Sequence, residues 1–195
     1  MKILITEKQI RSKVFELAEE VAKDNSSGQL HVLFVLKGAF IFCADLVRAL
    51  GSHKIDVTVD YIIAKSYVNT RSTGDIKFSV DVEIKEKEVL LLEDIIDTGR
   101  TIKRLKEELM KMQPKNLRTV CLLDKPSGRD VDMKVDYVGF EIKDTFVVGY
   151  GIDYNEKYRN LPFIAEVDTP GLTPGGEKRK FLYNQGTFPG RSTES

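Results

Sequence analysis

The strongest constraint on this chain is the segment Val89-Leu90-Leu91-Leu92-Glu93-Asp94-Ile95-Ile96-Asp97-Thr98-Gly99-Arg100-Thr101, an apolar run that meets two acids and passes through a polar turn into a helical pattern. A short apolar run without polar alternation suits a strand covered on both faces, as in a parallel sheet. Ile102, Leu105, Leu109 and Met112 then recur at helical spacing and stop before Pro114. Strand, turn and helix in this order are the building unit of an α/β fold, because parallel strands need a crossover between them.

The rest of the chain supplies matching pieces. Thr6 with Gln9 reads as a capping box, and Ile10, Val14, Leu17, Ala18 and Val21 predict a helix over about 7–23. Asn25-Ser26-Ser27-Gly28 breaks it, the apolar run Leu30 to Leu36 reads as a buried strand, and a helix over 39–50 follows Lys37-Gly38. Alternation predicts half-buried strands at Ile55 to Tyr61, with Ile55, Val57, Val59 and Tyr61 inward, and at Phe78 to Ile84. Between them, the polar stretch Lys65 to Ile76 has the length of a lid or binding loop. Thr119 to Leu123 and Tyr137 to Phe140 add two more strands. The expected fold class is α/β, a central, mainly parallel twisted sheet with flanking helices.

At 195 residues, 42% hydrophobic and 31% charged, the chain suits one domain with a real core. Thirty basic residues against thirty acidic ones give no support to a nucleic-acid coat or a polybasic membrane patch. Lys37, Asp45 and Arg48 interrupt the most apolar stretch, and the N-terminus lacks a signal-peptide pattern, so a cytoplasmic protein without membrane or nucleic-acid partners is expected. Cys43 and Cys121 read as buried thiols, and His31 and His53 have no partners at zinc-ligand spacing. Residues 1–168 form the expected domain. In 169–195, five of the fourteen glycines and three of the six prolines gather around a basic cluster, which predicts a flexible C-terminal tail.

The turn Asp97 to Thr101 carries the chemistry. It offers two hydroxyls, a glycine that permits close backbone approach, and the unpaired N–H groups of a helix start, which are the parts of a phosphomonoester cradle. The structural alternative is that Asp97 or Thr98 merely caps the helix while Glu93 and Asp94 are solvated charges. No Gly-x-Gly-x-x-Gly and no Gly-Lys-Ser/Thr loop is present, which disfavours dinucleotide and ATP sites. Acids beside a phosphate cradle suit ribose hydroxyls or Mg²⁺.

This segment resembles the phosphoribosyl diphosphate signature of the type I phosphoribosyltransferases, and the chain is similar to their hypoxanthine-guanine branch over about residues 5–168. The further matching pieces are Leu36-Lys37-Gly38, Lys65-Ser66-Tyr67 with Ser72-Thr73-Gly74-Asp75, Lys125, the run Phe146 to Asn155, and Arg159. The resemblance implies a small hood built from chain-terminal segments over the sheet. It implies purine salvage: transfer of 5-phosphoribosyl from phosphoribosyl diphosphate to N9 of hypoxanthine or guanine, giving IMP or GMP and pyrophosphate. Thr98, Gly99, Arg100 and Thr101 would hold the 5′-phosphate, and Glu93 and Asp94 the ribose hydroxyls directly or through Mg²⁺. Asp97 would be the general base, Asp153 a further metal ligand, and Lys37, Gly38 and Arg159 the grip on pyrophosphate. Lys125 would donate to the purine O6, Phe146 stack on the ring, the Val147 backbone read the opposite edge, and Ile152 line the other face. Ser66 and Tyr67 would ride on the lid, a cis peptide would join Leu36 to Lys37, and the protein would be a homodimer or homotetramer. The contrasting expectation, a regulator binding phosphoribosyl diphosphate and nucleic acid on the same fold, calls for a basic surface that a zero net charge does not favour.

Overall fold

A computed structural model of the chain describes residues 1–66, 76–79 and 82–167. The expected tail and the lid residue Tyr67 lie outside the described residues, and Ser66 is described by its backbone alone.

Strand β1 (Lys2–Ile5) leads into helix α1 (Glu7–Asp24). The start of α1 is held by the expected capping box: Gln9 N donates to Thr6 Oγ1 at 3.3 Å and Thr6 N donates to Gln9 Oε1 at 2.9 Å. Its buried stripe is Ile10, Val14, Leu17, Ala18 and Val21, as the spacing predicts. Strand β2 (Gln29–Leu36), helix α2 (Phe40–Ser52) and strand β3 (Asp56–Ser66) follow, and β4 (Ile76–Ser79) returns antiparallel to β3. Then come β5 (Glu88–Ile96), α3 (Arg100–Met110), β6 (Asn116–Asp124), a 3-10 turn (Pro126–Gly128) and β7 (Tyr137–Glu141). The short strands β8 (Val147–Val148) and β9 (Ile164–Glu166) complete the described chain.

Two sheets form. The larger has the order β4-β3-β2-β5-β6-β7, parallel throughout except for the edge strand β4. Successive side chains of a strand point to opposite faces, and the core divides accordingly. Val32, Leu90 and Leu92 pack toward α1 and α2, whereas Leu33, Val89 and Leu91 pack toward Ile102, Leu105 and Leu109 of α3. Both faces of the central strands are therefore buried, which is why β2 and β5 each carry an unbroken apolar run, Val32 to Leu36 and Val89 to Leu92. The smaller antiparallel sheet, β1-β9-β8, joins the N-terminal strand to the end of the domain and forms the hood.

Two expectations change. Strand β3 forms, but Val59 and Tyr61 are 43% and 54% exposed. Val57 packs against the core, whereas Tyr61 meets Phe34 in a tilted ring contact, with centroids 6.2 Å apart at 57°. The strand predicted for Phe78 to Ile84 ends at Ser79 among the described residues; Ile84 is fully buried beside the α3 layer without belonging to a strand. Alternating burial reports which side chains face the core, and an irregular segment meets that condition as well as a ladder does. Cys43 and Cys121 are buried free thiols, and burial pushes Cys43 up to about 11. No described helix is long and apolar enough to cross a membrane.

Candidate active site

The sheet order fixes where a ligand can sit. From β2 the chain moves to one side, to β3, and then crosses to the other side as β5. Diverging connections open a crevice at the carboxyl ends of β2 and β5, the switch point at which open α/β sheets bind ligands. The segments Lys37-Gly38 and Asp97 to Thr101 both lie at those strand ends.

Close backbone contacts hold the crevice together. A Cβ on Gly38 would lie 1.8 Å from Asp94 Oδ2, and one on Gly151 would lie 2.1 Å from the Gly38 carbonyl oxygen. The ends of β2 and β5 and the turn after β8 therefore meet where any side chain would be excluded. The peptide between Leu36 and Lys37 is cis, as the resemblance implies.

Glu93 and Asp94 are buried at 8% exposure each, inside β5 rather than at its end. Burial, reinforced by the neighbouring Asp94 charge, holds the Glu93 carboxyl well above the usual carboxylate range. Past them, Gly99 caps α3 at φ 81°, a conformation that costs glycine nothing. Helix α3 thus opens with its first N–H groups beside the Thr98 hydroxyl, which accepts weakly from Arg100 N at 3.5 Å, while Thr101 is half-buried on the first turn. Asp130 N donates to the Thr98 carbonyl at 3.2 Å, and Arg100 pairs with Asp130 at 2.5 Å.

Asp97 is half exposed, with Oδ2 3.7 Å from Lys125 Nζ. Lys125 follows β6 directly and is 7% exposed; Asp144 approaches the same ammonium at 3.6 Å. A buried cation requires such partners. Asp144 precedes Phe146 by two residues, so the contact draws the start of the hood strand β8 toward Asp97. Phe146 is half-buried and stands edge-on to Tyr154, with centroids 5.4 Å apart at 85°. Val147 and Ile152 are buried.

A third group surrounds Arg159. Its Nη1 donates to the Gly151 carbonyl at 2.8 Å, and Nη2 meets Asp153 Oδ1 at 2.9 Å and Glu156 Oε2 at 3.1 Å. Lys37 Nζ reaches both oxygens of Glu156 at 3.2 Å. Most of the expected residues therefore collect into three clusters: a helix start, an acid-lysine pair, and a cationic patch.

Sequence reasoning missed Asp144, Glu156 and the brace behind the helix start. In that brace Arg129 donates to Asp124, and its Cδ would be 2.8 Å from a Cβ on Gly99. Only Glu156 had a usable signal, a carboxylate three residues before Arg159. A cavity of about 870 Å³ lies elsewhere, between α1, α2 and the segment before β9, lined by Phe15, Ile41 and Pro162 together with Arg11, Asp45 and Tyr150.

A switch-point crevice with an acidic strand and a phosphate-type helix start defines a class of sugar-phosphate enzymes. Residues 4–155 match the phosphoribosyl transferase domain family, and the chain belongs to that family. Within it, the chain is 43% identical over 167 residues to the hypoxanthine-guanine phosphoribosyltransferase of Bacillus subtilis (strain 168), covering 84% of this chain and 91% of the relative. It is 49% identical, with a TM-score of 0.80, to a crystal structure of a hypoxanthine-guanine phosphoribosyltransferase from Bacillus anthracis, covering 86% of this chain and 98% of that one. Hypoxanthine phosphoribosyltransferase from Trypanosoma cruzi, solved with the product IMP, is 38% identical with a TM-score of 0.79, covering 85% and 93%.

Proposed function

We propose that this protein transfers the 5-phosphoribosyl group from phosphoribosyl diphosphate to N9 of hypoxanthine or guanine, giving IMP or GMP and pyrophosphate in cytoplasmic purine salvage. The relatives support this reading, and one observation carries it: Asp97 and the buried Lys125 lie 3.7 Å apart beside a phosphate-type helix start.

In the reaction the N9–C1′ bond forms as the C1′–oxygen bond to pyrophosphate breaks, and the purine gives up a proton. Asp97 accepts that proton at its carboxylate, facing purine N7. Lys125 donates to O6, a contact that an adenine amino group would repel, and so selects 6-oxopurines. Phe146 stacks on the ring, Ile152 lines its other face and the Val147 backbone reads the far edge. Thr98, Gly99, Arg100 and Thr101 hold the 5′-phosphate through hydroxyls and N–H groups. Lys37, the Gly38 backbone and Arg159 hold the departing pyrophosphate. Ser66 and Tyr67 belong to the lid that excludes water from an oxocarbenium-like centre.

Mg²⁺ fits the acids present. Glu93 and Asp94 are two adjacent buried carboxylates whose mutual repulsion a cation would relieve. Among the described residues no cluster of three or more His, Cys, Asp or Glu would hold a metal by itself, so the ion would share Glu93, Asp94 or Asp153 with substrate oxygens. Once bound, it would supply Lewis-acid stabilisation of the diphosphate. Self-association as a homodimer or homotetramer has a candidate surface in the exposed Val59, Tyr61 and Ile63.

The test is nucleotide formation, followed by ultraviolet absorbance, from phosphoribosyl diphosphate and each purine base, with and without Mg²⁺. IMP and GMP formation without AMP formation is expected; turnover of adenine alone, or of no base, refutes the reading.

A further inference from the structure

The cationic patch contains a residue that the transfer chemistry does not use. Glu156 joins both cations assigned to pyrophosphate: each of its oxygens is 3.2 Å from Lys37 Nζ, and Oε2 is 3.1 Å from Arg159 Nη2. The hydrogen bonds from Arg159, the larger influence, and from Lys37 hold its carboxyl below the usual range.

Its backbone makes this placement informative. Tyr154 and Lys157 exchange hydrogen bonds of 3.1 Å in both directions, closing a two-residue turn over Asn155 and Glu156. Both central residues have positive φ, 52° and 62°. A turn of that kind favours asparagine first and glycine second. Asn155 obeys the preference and Glu156 breaks it. A side chain kept where glycine fits best points to a role for that side chain. Asp153 Oδ2 accepts from Glu156 N at 2.8 Å and fixes the turn, so the carboxylate is aimed at the cations by its own backbone.

We propose that the Glu156 carboxylate is an internal stand-in for pyrophosphate: it occupies Lys37 and Arg159 while the site is empty, yields them to the diphosphate of the substrate, and reclaims them as the product leaves. The idea rests on the assignment of Lys37 and Arg159 to pyrophosphate. A single carboxylate carries less charge than a diphosphate, so the exchange favours the ligand, yet it weakens the ligand's net binding and hastens its release.

The experiment is calorimetric titration of the full-length protein with inorganic pyrophosphate at fixed Mg²⁺, comparing wild type, Glu156→Gln, Glu156→Gly and Lys37→Ala. Losing an exposed two-cation contact should tighten pyrophosphate binding about three- to tenfold in both Glu156 variants. The KM for phosphoribosyl diphosphate should fall with it, and the KM for the purine should not move. Glu156→Gly suits the turn and keeps the test open should the glutamine variant fold poorly. Unchanged or weaker pyrophosphate binding in the Glu156 variants, with Lys37→Ala weakened, overturns the stand-in alone and makes Glu156 a mere scaffold for its neighbours. Unchanged binding in Lys37→Ala overturns the assignment of the patch and the proposal together.

Discussion

Asp97 is confined by what surrounds it. Lys125 lies on one side, and on the other a Cβ at Gly128 would come within 2.2 Å of Asp97 Oδ1. Asp97→Asn keeps the shape and removes the proton acceptor, so the forward rate should drop about a hundredfold or more with an unchanged melting temperature; steady-state kinetics that show full kcat would dismiss Asp97 as the base. Gly128→Ala leaves the carboxylate in place but forces it to rotate. Its kcat should fall about tenfold while the fold is retained, because the displaced atom is the free end of a side chain. Lys125→Ala should raise the KM for hypoxanthine about tenfold or more, the scale of a hydrogen bond from a charged donor, and leave the KM for phosphoribosyl diphosphate nearly constant. Parallel loss for both substrates would move Lys125 out of the purine pocket. These motif residues were legible because they sit in one continuous segment or in short runs of distinctive composition. Asp144 was not, since a lone exposed acid in a polar stretch carries no local signal; its meaning comes from the buried ammonium it neutralises 19 positions away.

Elements were legible to the extent that their burial is periodic. Helix α1 was predicted within a residue at its C-terminal end, since its cap and its stripe are both local. Thr6→Ala removes the acceptor for Gln9 N, at a cost of about 1 kcal/mol, and should lower the thermal midpoint by about 2 to 4 °C. A shift within error in a calorimetric scan would show that the hood strand β1, rather than the cap, holds the helix start. Strand β5 outruns its apolar pattern. Its apolar run stops at Leu92, but the ladder with β6 continues through the pairs Glu93 with Cys121 and Ile96 with Asp124. Backbone pairing is indifferent to side-chain polarity, so the acids of the site are carried on a regular strand, which places them more rigidly than a loop would. Strand β3 forms where alternation predicts it, but the alternation does not report burial there, since Val59 and Tyr61 stay exposed.

For the molecule as a whole, the buried Glu93 carboxyl shapes the response to pH. A carboxyl whose folded pKa is raised binds more protons in the native state than in the unfolded one, so stability falls as pH climbs from the unfolded value through the folded one. In the metal-free protein, Glu93→Gln should remove this decline and raise the neutral-pH melting temperature above wild type, while impairing turnover; melts at acidic and neutral pH with identical differences would discount Glu93 as the source. The fold class and the crevice followed from sequence because parallel strands impose their own connections, whereas the pairing of the hood, which brings Lys2 opposite Glu166, depends on contacts no local pattern encodes. That pairing has an evolutionary corollary. The residues proposed to grip phosphate groups lie in the turns after β2 and β5, on the first turn of α3 and between β8 and β9, whereas Phe146, Val147 and Ile152, proposed to line the base, lie on β8 and in the segments beside it. A lineage can therefore adjust how the ring is stacked and its far edge read by altering a few positions around Phe146 and Val147, while Lys125 keeps the preference for 6-oxopurines and the apparatus that breaks the C1′–oxygen bond stays undisturbed.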